Sequence, residues 1–351
     1  MRAVPAEELA RRMTAALLQR GVSEEHAGYV VDGLIEASLR GIDTHGIRLF
    51  RTYLAELDGG RSRARPEMRW LPGAQAARGL DAGHALGLVA GRVATAEAVR
   101  LAREFGVGAV SVRNSNHFGP ASCYTLEMAR QGVIGFSFTN SDALVAPFHG
   151  VAPLFGTNPL SMAVRGAGDD LFCADLATSQ VSYSRVKQHR ERGEPLAPGW
   201  AVTADGRDVA DAAAAGSETA EVSALQPLGG HKGQCLGMAV EILCALLAGM
   251  PFDHELTHLY IEPFDEPRRV AHLFLALDLG AFGDSAAFQS RLSALLAQVR
   301  AQPASPGERV VAPGDLESES AAERSAAGIP LTDTESAWFD SLGKGGAEME
   351  C

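Results

Sequence analysis

Helical spacing of apolar residues runs through both ends of this chain, and strand-like runs are confined to the stretch between residues 107 and 279. That segregation constrains the fold more than any other feature. It predicts an α+β protein, with a helical part drawn from both chain ends around a sheet-containing middle. Leu9, Met13, Leu17 and Leu18 share helical spacing up to Gly21. Ser23 reads as the N-cap of a second helix carrying Val30, Val31, Leu34 and Ile35, closed by Gly41. A third pattern runs from about Gly46 to Leu57 and ends at Gly59-Gly60. Helices are then expected over 86–105 and 120–131, and strands over 107–113, 133–141, 160–165, 171–176 and 270–279. A buried apolar helix is expected at 232–249, followed by helices at 285–301, 316–326 and 333–342. The pattern divides into a helical N-terminal part (1–75), a sheet-containing region (76–284), and C-terminal helices (285–351) packing back on the N-terminal part. The Ala-rich, polar residues 203–221 read as an exposed excursion.

Charge narrows the partners. With 43 acidic against 31 Lys and Arg residues the net charge is -12, which argues against nucleic acid or an anionic membrane as partner. No apolar run reaches the roughly 18 residues of a membrane span. The first residues carry no apolar core of a signal peptide. Five Cys form an odd set without a CxxC pair, the usage expected of thiols in a reducing cytoplasm.

Several nucleotide and hydrolase fingerprints are missing. The nearest match to GxGxxG is Gly106-Val107-Gly108-Ala109-Val110-Ser111, which lacks the third Gly and opens a strand. The pair Gly343-Lys344 is followed by Gly, so it is no Walker A loop, and no GxSxG occurs. A nucleotide bound by this chain sits on a different architecture.

Five constellations carry chemistry. In Asp43-Thr44-His45-Gly46-Ile47-Arg48, a helix starting near His45 sets His45 and Arg48 on one face. Arg offers a planar fork to a carboxylate, and a neighbouring imidazole exchanges a proton with the adjacent oxygen. The same spacing also describes a helix-start His beside a solvated Arg. Asn114-Ser115-Asn116-His117-Phe118-Gly119-Pro120 lies between a strand and a helix, either a ligand loop or a self-bonded turn. Phe155-Gly156-Thr157-Asn158-Pro159 and Asp175-Leu176-Ala177-Thr178-Ser179 offer hydroxyls and acceptors past strand ends, and turn chemistry explains them equally. Gly229-Gly230-His231-Lys232-Gly233 opens the apolar helix, as a phosphate-facing N-terminus or as a plain cap. His254-Glu255-Leu256-Thr257-His258 matches HExxH, but Pro251 and Pro263 bracket it and its surroundings are polar. A surface loop is the expectation there.

Taken in order, the segments Gly41 to Arg48, Ser115 to Gly119, Phe155 to Leu160, Asp175 to Ser179 and Pro227 to Gly233 resemble the malate/L-lactate dehydrogenase family outside the Rossmann superfamily. That family includes ureidoglycolate dehydrogenase, sulfolactate dehydrogenase, diketogulonate reductase and piperideine/pyrroline-2-carboxylate reductase. The likeness spans residues 5 to about 342. It implies a largely antiparallel cofactor sheet, NAD or NADP as cofactor, and a homodimer with the active site near the interface. It implies that His45 is the acid/base residue and Arg48 the anchor of a small carboxylate substrate. His117 would lie at the pocket as a competing acid/base group. Asn140 and Ser141 would approach the nicotinamide, and Asp175, Ala177, Thr178 and Ser179 would line the cofactor cleft. Asp175 would also orient or charge a nearby imidazole. His231, Lys232 and the Pro313-Gly314 turn would touch the dinucleotide. The chain departs from the family pattern at Ser38, Thr44, His149-Gly150 and Gln234-Cys235.

The expected function is therefore hydride transfer between nicotinamide and C2 of a small 2-hydroxy/2-oxo acid or cyclic 2-imino acid. Two alternatives compete: a zinc-dependent hydrolase using His254, Glu255 and His258, and a non-catalytic dinucleotide-binding relic.

Overall fold

All five strand-like runs join one seven-stranded sheet in a computed structural model that describes residues 2–214 and 221–342. In spatial order the strands are Arg69–Ala74, Ala77–Asp81, Val107–Ser115, Val270–Asp278, Val133–Thr139, Leu160–Arg165 and Leu171–Leu176. Every neighbouring pair is antiparallel except Ala77–Asp81 with Val107–Ser115. The first two strands form a hairpin that the sequence pattern does not announce. Arg69–Ala74 is exposed along almost its whole length, so it lacks the alternation that marks a half-buried strand.

The central strand Val270–Asp278 is apolar on both faces because both are covered. Phe274 and Ala276 join the main core beneath the helix Gly87–Phe105, together with Val110 and Val112. Ala271 and Leu273 face the other way, onto Val240 and Cys244 of the helix that starts at His231. That helix runs to Glu241 and then widens into a π turn over Ile242–Leu246. The helix Ser122–Arg130 packs on Val133–Thr139 and Leu160–Arg165 and brings its N-terminus towards Leu171–Leu176.

The chain ends meet. Arg2–Val4 pairs with Ile329–Leu331, and the helix Asp315–Ala327 packs on the helix Glu24–Leu39. Arg12 bonds Asp340 of the helix Asp333–Ser341. The helix Ser285–Arg300 lies beside the Leu160–Leu176 hairpin, where Ser293 Oγ accepts the Ala167 N–H and Arg300 pairs with Asp170. In the helix Ala6–Gln19, Leu9, Met13 and Leu17 are fully buried, each contributing about 1.5–3 kcal/mol. Leu18, expected on that face, is exposed. The excursion at 203–221 contains the short helix Val209–Ala214, and residues 215–220 lie outside the described set. No helix among the described residues is long and apolar enough to cross a membrane.

Candidate active site

The segment around His45 is not the start of an α-helix. It forms two 3₁₀ turns, Asp43–His45 and Ile47–Leu49, and the α-helix begins only at Phe50. Gly46 separates them with an extended ψ of -148°. The reason is packing against the preceding helix. A Cβ on Gly46 would stand 2.1 Å from Ser38 Oγ, and that same Oγ accepts the Ile47 N–H at 2.9 Å. The turn is also pinned to the helix Asp315–Ala327, because Arg324 bonds both Asp43 oxygens at 2.6 and 3.1 Å and the Ser38 carbonyl at 2.6 Å.

The break sends the two expected partners different ways. His45 faces a cleft of about 230 Å³ shared by Arg40, Thr44, Pro120, Thr157, Asp175 and Glu317. Arg48 is not among the residues lining that cleft. Its Nε pairs with Glu335 Oε1 at 2.7 Å, and Glu335 caps its own helix by accepting the Thr332 N–H at 2.8 Å. The equal-face reading of His45 and Arg48 is thereby corrected at the level of the backbone.

His45 stands at the cleft wall with its Nδ1 3.0 Å from Thr44 Oγ1. Burial lowers its pKa to about 4, so the ring is neutral at pH 7. His117 stacks on it at 5.7 Å between ring centres, with 26° between the planes. His117 Nδ1 lies 2.7 Å from the Tyr53 hydroxyl and accepts the Gly119 N–H at 3.3 Å. An amide N–H only donates, so Nδ1 is the acceptor and Nε2 carries the ring proton. Burial, then the neighbouring His45, pushes the His117 pKa well below the ordinary value. Tyr53 is fully buried and keeps its proton, since burial raises its pKa well above 10.0. His117 is thus a neutral Nε2–H donor behind His45.

Asp175 lines the same cleft at the end of Leu171–Leu176. Its Oδ2 accepts the Ser122 N–H at 2.8 Å, at the first turn of the helix Ser122–Arg130. Burial raises its pKa and the bonds from Ser122 oppose the rise. The Pro313-Gly314 turn closes this side. Pro313 O accepts the Cys173 N–H at 3.1 Å, and Gly314, at φ 98°, would bring a Cβ within 3.1 Å of Cys173 Cβ. Gly314 also starts the helix that supplies Glu317 to the cleft.

The other expected cofactor residues fall into two groups. One is continuous with the cleft through Thr157. Ser141 Oγ accepts the Thr157 N–H at 3.0 Å, and the Thr157 carbonyl accepts both the N–H of Thr178 at 2.8 Å and its hydroxyl at 3.1 Å. Ala177 is on the cleft wall, whereas Ser179 turns its hydroxyl to the Val181 carbonyl at 2.8 Å. Asn140 is buried; its Oδ1 accepts the Ala271 N–H at 2.9 Å, and its Nδ2 has no partner. The second group is the exposed pair His231 and Lys232 at the head of the helix His231–Glu241, where His231 lies 5.9 Å from the Phe148 ring. Neither residue lines the His45 cleft.

The HExxH match has no zinc-helix geometry. Asp253–Glu255 is a single 3₁₀ turn that ends before Leu256, so His254 and His258 do not share a helix face. Glu255 accepts the Phe252 N–H, and His258 Nδ1 accepts the Tyr260 N–H. Among the described residues no group of three or more His, Cys, Asp or Glu is placed to hold a metal.

Arg40, Tyr53, Glu317 and Glu335 are the site residues that sequence reasoning did not single out. Arg40 sits at the end of the helix Glu24–Leu39, five positions before His45. Its proximity to the motif was the one available signal.

Comparison with known proteins shows the family. The family model for malate/L-lactate dehydrogenase matches residues 4–338. The chain is 34% identical to a malate dehydrogenase of Pyrococcus abyssi over 85% of this chain and 82% of that one. It is 35% identical to a (2R)-3-sulfolactate dehydrogenase (NADP(+)) of Chromohalobacter salexigens, over 77% and 79%. Identity to a ureidoglycolate dehydrogenase (NAD(+)) of Escherichia coli O157:H7 is 30%, over 93% and 92%. Among solved structures, a malate dehydrogenase from Entamoeba histolytica superposes with TM-score 0.89 at 28% identity, covering 98% and 97% of the two chains. A Δ1-piperideine-2-carboxylate reductase from Pseudomonas syringae does so with TM-score 0.85 at 27%, covering 97% and 100%. With sheet order, cleft and motif order all in place, the chain belongs to the malate/L-lactate dehydrogenase family of oxidoreductases.

Proposed function

We propose that the chain transfers a hydride, with NAD or NADP, between nicotinamide and C2 of a small 2-hydroxy/2-oxo acid or cyclic 2-imino acid. The observation that carries this reading is His45, neutral and half-buried, on the wall of a small cleft shared with Asp175 and Thr157. Its volume of about 230 Å³ lies below the roughly 300 Å³ at which sites for drug-sized ligands begin, which favours a short acid. The relatives' names supply the two cofactor options and the acid class. The name of the piperideine-2-carboxylate reductase supports the imine option.

The residues present fit a nicotinamide dinucleotide. Asn140 Nδ2 is a buried donor lacking an acceptor, suited to a carboxamide oxygen, with Ser141 beside it. His231 and Lys232 stand at the head of an eleven-residue helix, where first-turn N–H groups have no intrahelical acceptor and favour a phosphate. Gly314 leaves room over Cys173. Asp175 and Ala177 line the cleft, and Thr178 joins it through its bonds to the Thr157 carbonyl. When bound, the cofactor supplies or takes up the hydride.

The chain's own part is proton handling and orientation. In oxidation His45 takes the hydroxyl proton as the hydride leaves C2; in reduction it returns that proton to the oxygen. His117 donates through Nε2–H and backs the His45 ring. Asp175 holds the head of the helix Ser122–Arg130 at the cleft. Arg48 pairs through Nε with Glu335, so a carboxylate taking its Nε edge would replace one ion pair by another. A homodimer belongs to the same reading, supported by exposed Leu236, Met238, Ile242, Leu243, Leu246 and Leu247 along one helix.

The test is absorbance at 340 nm with NADH and with NADPH against pyruvate, 2-oxosuccinate and piperideine-2-carboxylate. Oxidation of either cofactor dependent on one of these acids is expected. Cofactor binding without turnover across a wide panel of 2-oxo and imino acids would favour the dinucleotide-binding relic instead.

A further inference from the structure

We propose that Arg40, at the end of the helix Glu24–Leu39, receives the substrate carboxylate in the His45 cleft. This rests on the reaction proposed above and names the group that binds its acid end.

Arg40 is 8% exposed, and its Nε and Nη2 are both buried without a hydrogen-bond partner. The other deeply buried arginines are treated differently. Arg61 donates to the carbonyls of Glu266, Leu259, Ile261 and Pro263. Arg268 donates to the Thr257 carbonyl and to Asp142. Two of the three guanidinium nitrogens of Arg40 are thus buried and await an acceptor, an arrangement that costs stability unless something pairs with them.

The identity of the free atoms matters. Nε and Nη2 form the side-on edge of a guanidinium, where two N–H bonds run nearly parallel and match the two oxygens of one carboxylate. The side chain lines the cleft that also holds His45, Asp175 and Glu317. Asp175 already accepts the Ser122 N–H, and neither acid is hydrogen-bonded to Arg40. A bound carboxylate puts C2, one bond away, within the cleft walled by His45. Arg48, the alternative anchor, has its Nε occupied by Glu335. The backbone of Arg40 is fixed by its N–H bond to the Glu36 carbonyl at 3.0 Å.

The cofactor diphosphate is the competing oxyanion, because the Cys173 and Glu317 wall adjoins the Pro313-Gly314 turn. The experiment separates the two. Arg40→Met, Arg40→Lys and Arg48→Met are compared with wild type by oxalate calorimetry in saturating NADH or NADPH, by KM of the accepted acid, by fluorescence titration of both cofactors, and by ligand-free Tm. For Arg40→Met we expect roughly 10- to 100-fold weaker oxalate binding and a similar rise in KM, the scale of a lost bidentate charged pair. Cofactor Kd should stay within about twofold, and Tm should hold or rise, since an unpaired buried charge has gone. Arg40→Lys should recover part of the affinity, and Arg48→Met should lose less than Arg40→Met.

Unchanged oxalate affinity and KM in Arg40→Met would overturn the proposal. So would weakened cofactor binding with acid affinity intact, or a larger loss in Arg48→Met. If wild type reduces no acid, the proposed reaction fails on its own, and the oxalate titration still decides Arg40; wild type that binds no oxalate overturns Arg40 as well.

Discussion

His45 and His117 are half-buried imidazoles in contact, and their hydrogen bonds separate their roles. Two donors converge on Nδ1 of His117, which locks it as an Nε2–H donor. His45 has one contact to a neighbouring hydroxyl and faces the cleft. Its pKa of about 4 makes it a ready base in the free protein and leaves it without the proton that reduction consumes. A carboxylate paired at Arg40 would bring negative charge near the ring and raise that pKa, so the acid form is favoured once substrate is bound. The same depression bears on folding. The unfolded chain binds the His45 proton near pH 6.5 and the folded chain near 4, so this contribution is complete above 6.5 and is lost as pH falls through that window. The motif singled out His45 from sequence, and the structure puts it on a cleft wall. The direction of Arg48 was not legible, because it depends on the contact between Ser38 and Gly46, which are eight positions apart and share no spacing rule.

At the scale of elements, a buried carboxyl pair ties three segments together. Asp253 Oδ2 accepts the Gly156 N–H and the Asn158 Nδ2 donor, each at 2.7 Å, and the Asp253 N–H donates to Glu241 Oε1 at 3.0 Å. Asp253 Oδ1 and Glu241 Oε2 are both buried with no donor, which one proton held between the two side chains would satisfy. Burial, with Glu241 adding to it, raises the Asp253 pKa to about 8. The folded chain therefore keeps a proton that the unfolded chain releases near 4, and this contribution to stability is lost as pH rises through about 8. Unfolding free energy of the wild type should fall between pH 6.5 and 8 by up to about 1.4 kcal/mol per pH unit from this group. Asp253→Asn, which places a permanent donor beside Glu241, should flatten that slope in denaturant titrations. Identical slopes in the two proteins would remove the shared proton. None of this was visible in the sequence, where Asp253 only preceded the HExxH match. The motif's residue types were accidental to a 3₁₀ turn, and the flanking Pro251 and Pro263 were the reliable signal.

For the whole molecule, the segregation of helical and strand spacing led to the right class, because each predicted strand is covered on a face and its pattern reports that burial. The exposed hairpin Arg69–Asp81 and the pairing of Arg2–Val4 with Ile329–Leu331 escaped notice. Exposure removes the alternation from the first, and the second joins residues over 320 positions apart. The apolar face along His231–Leu247, with Leu247 61% exposed, belongs to the helix expected to be buried. Its outward side is what a second copy would cover. Sedimentation velocity at micromolar concentration should give the mass of two chains, and Leu247→Glu should shift it towards one; a wild-type monomer would contradict the dimer.

The central claim is that His45 carries the proton for chemistry at C2, and its most direct test is the pH dependence of kcat/KM for oxidation of the accepted 2-hydroxy acid by wild type and His45→Ala. The account predicts a wild-type rate that is level near neutrality and falls as pH drops towards about 4, and a variant slower by roughly 10²–10⁴-fold that lacks this limb and still binds cofactor. A variant with the wild-type rate and the same acid limb would contradict it.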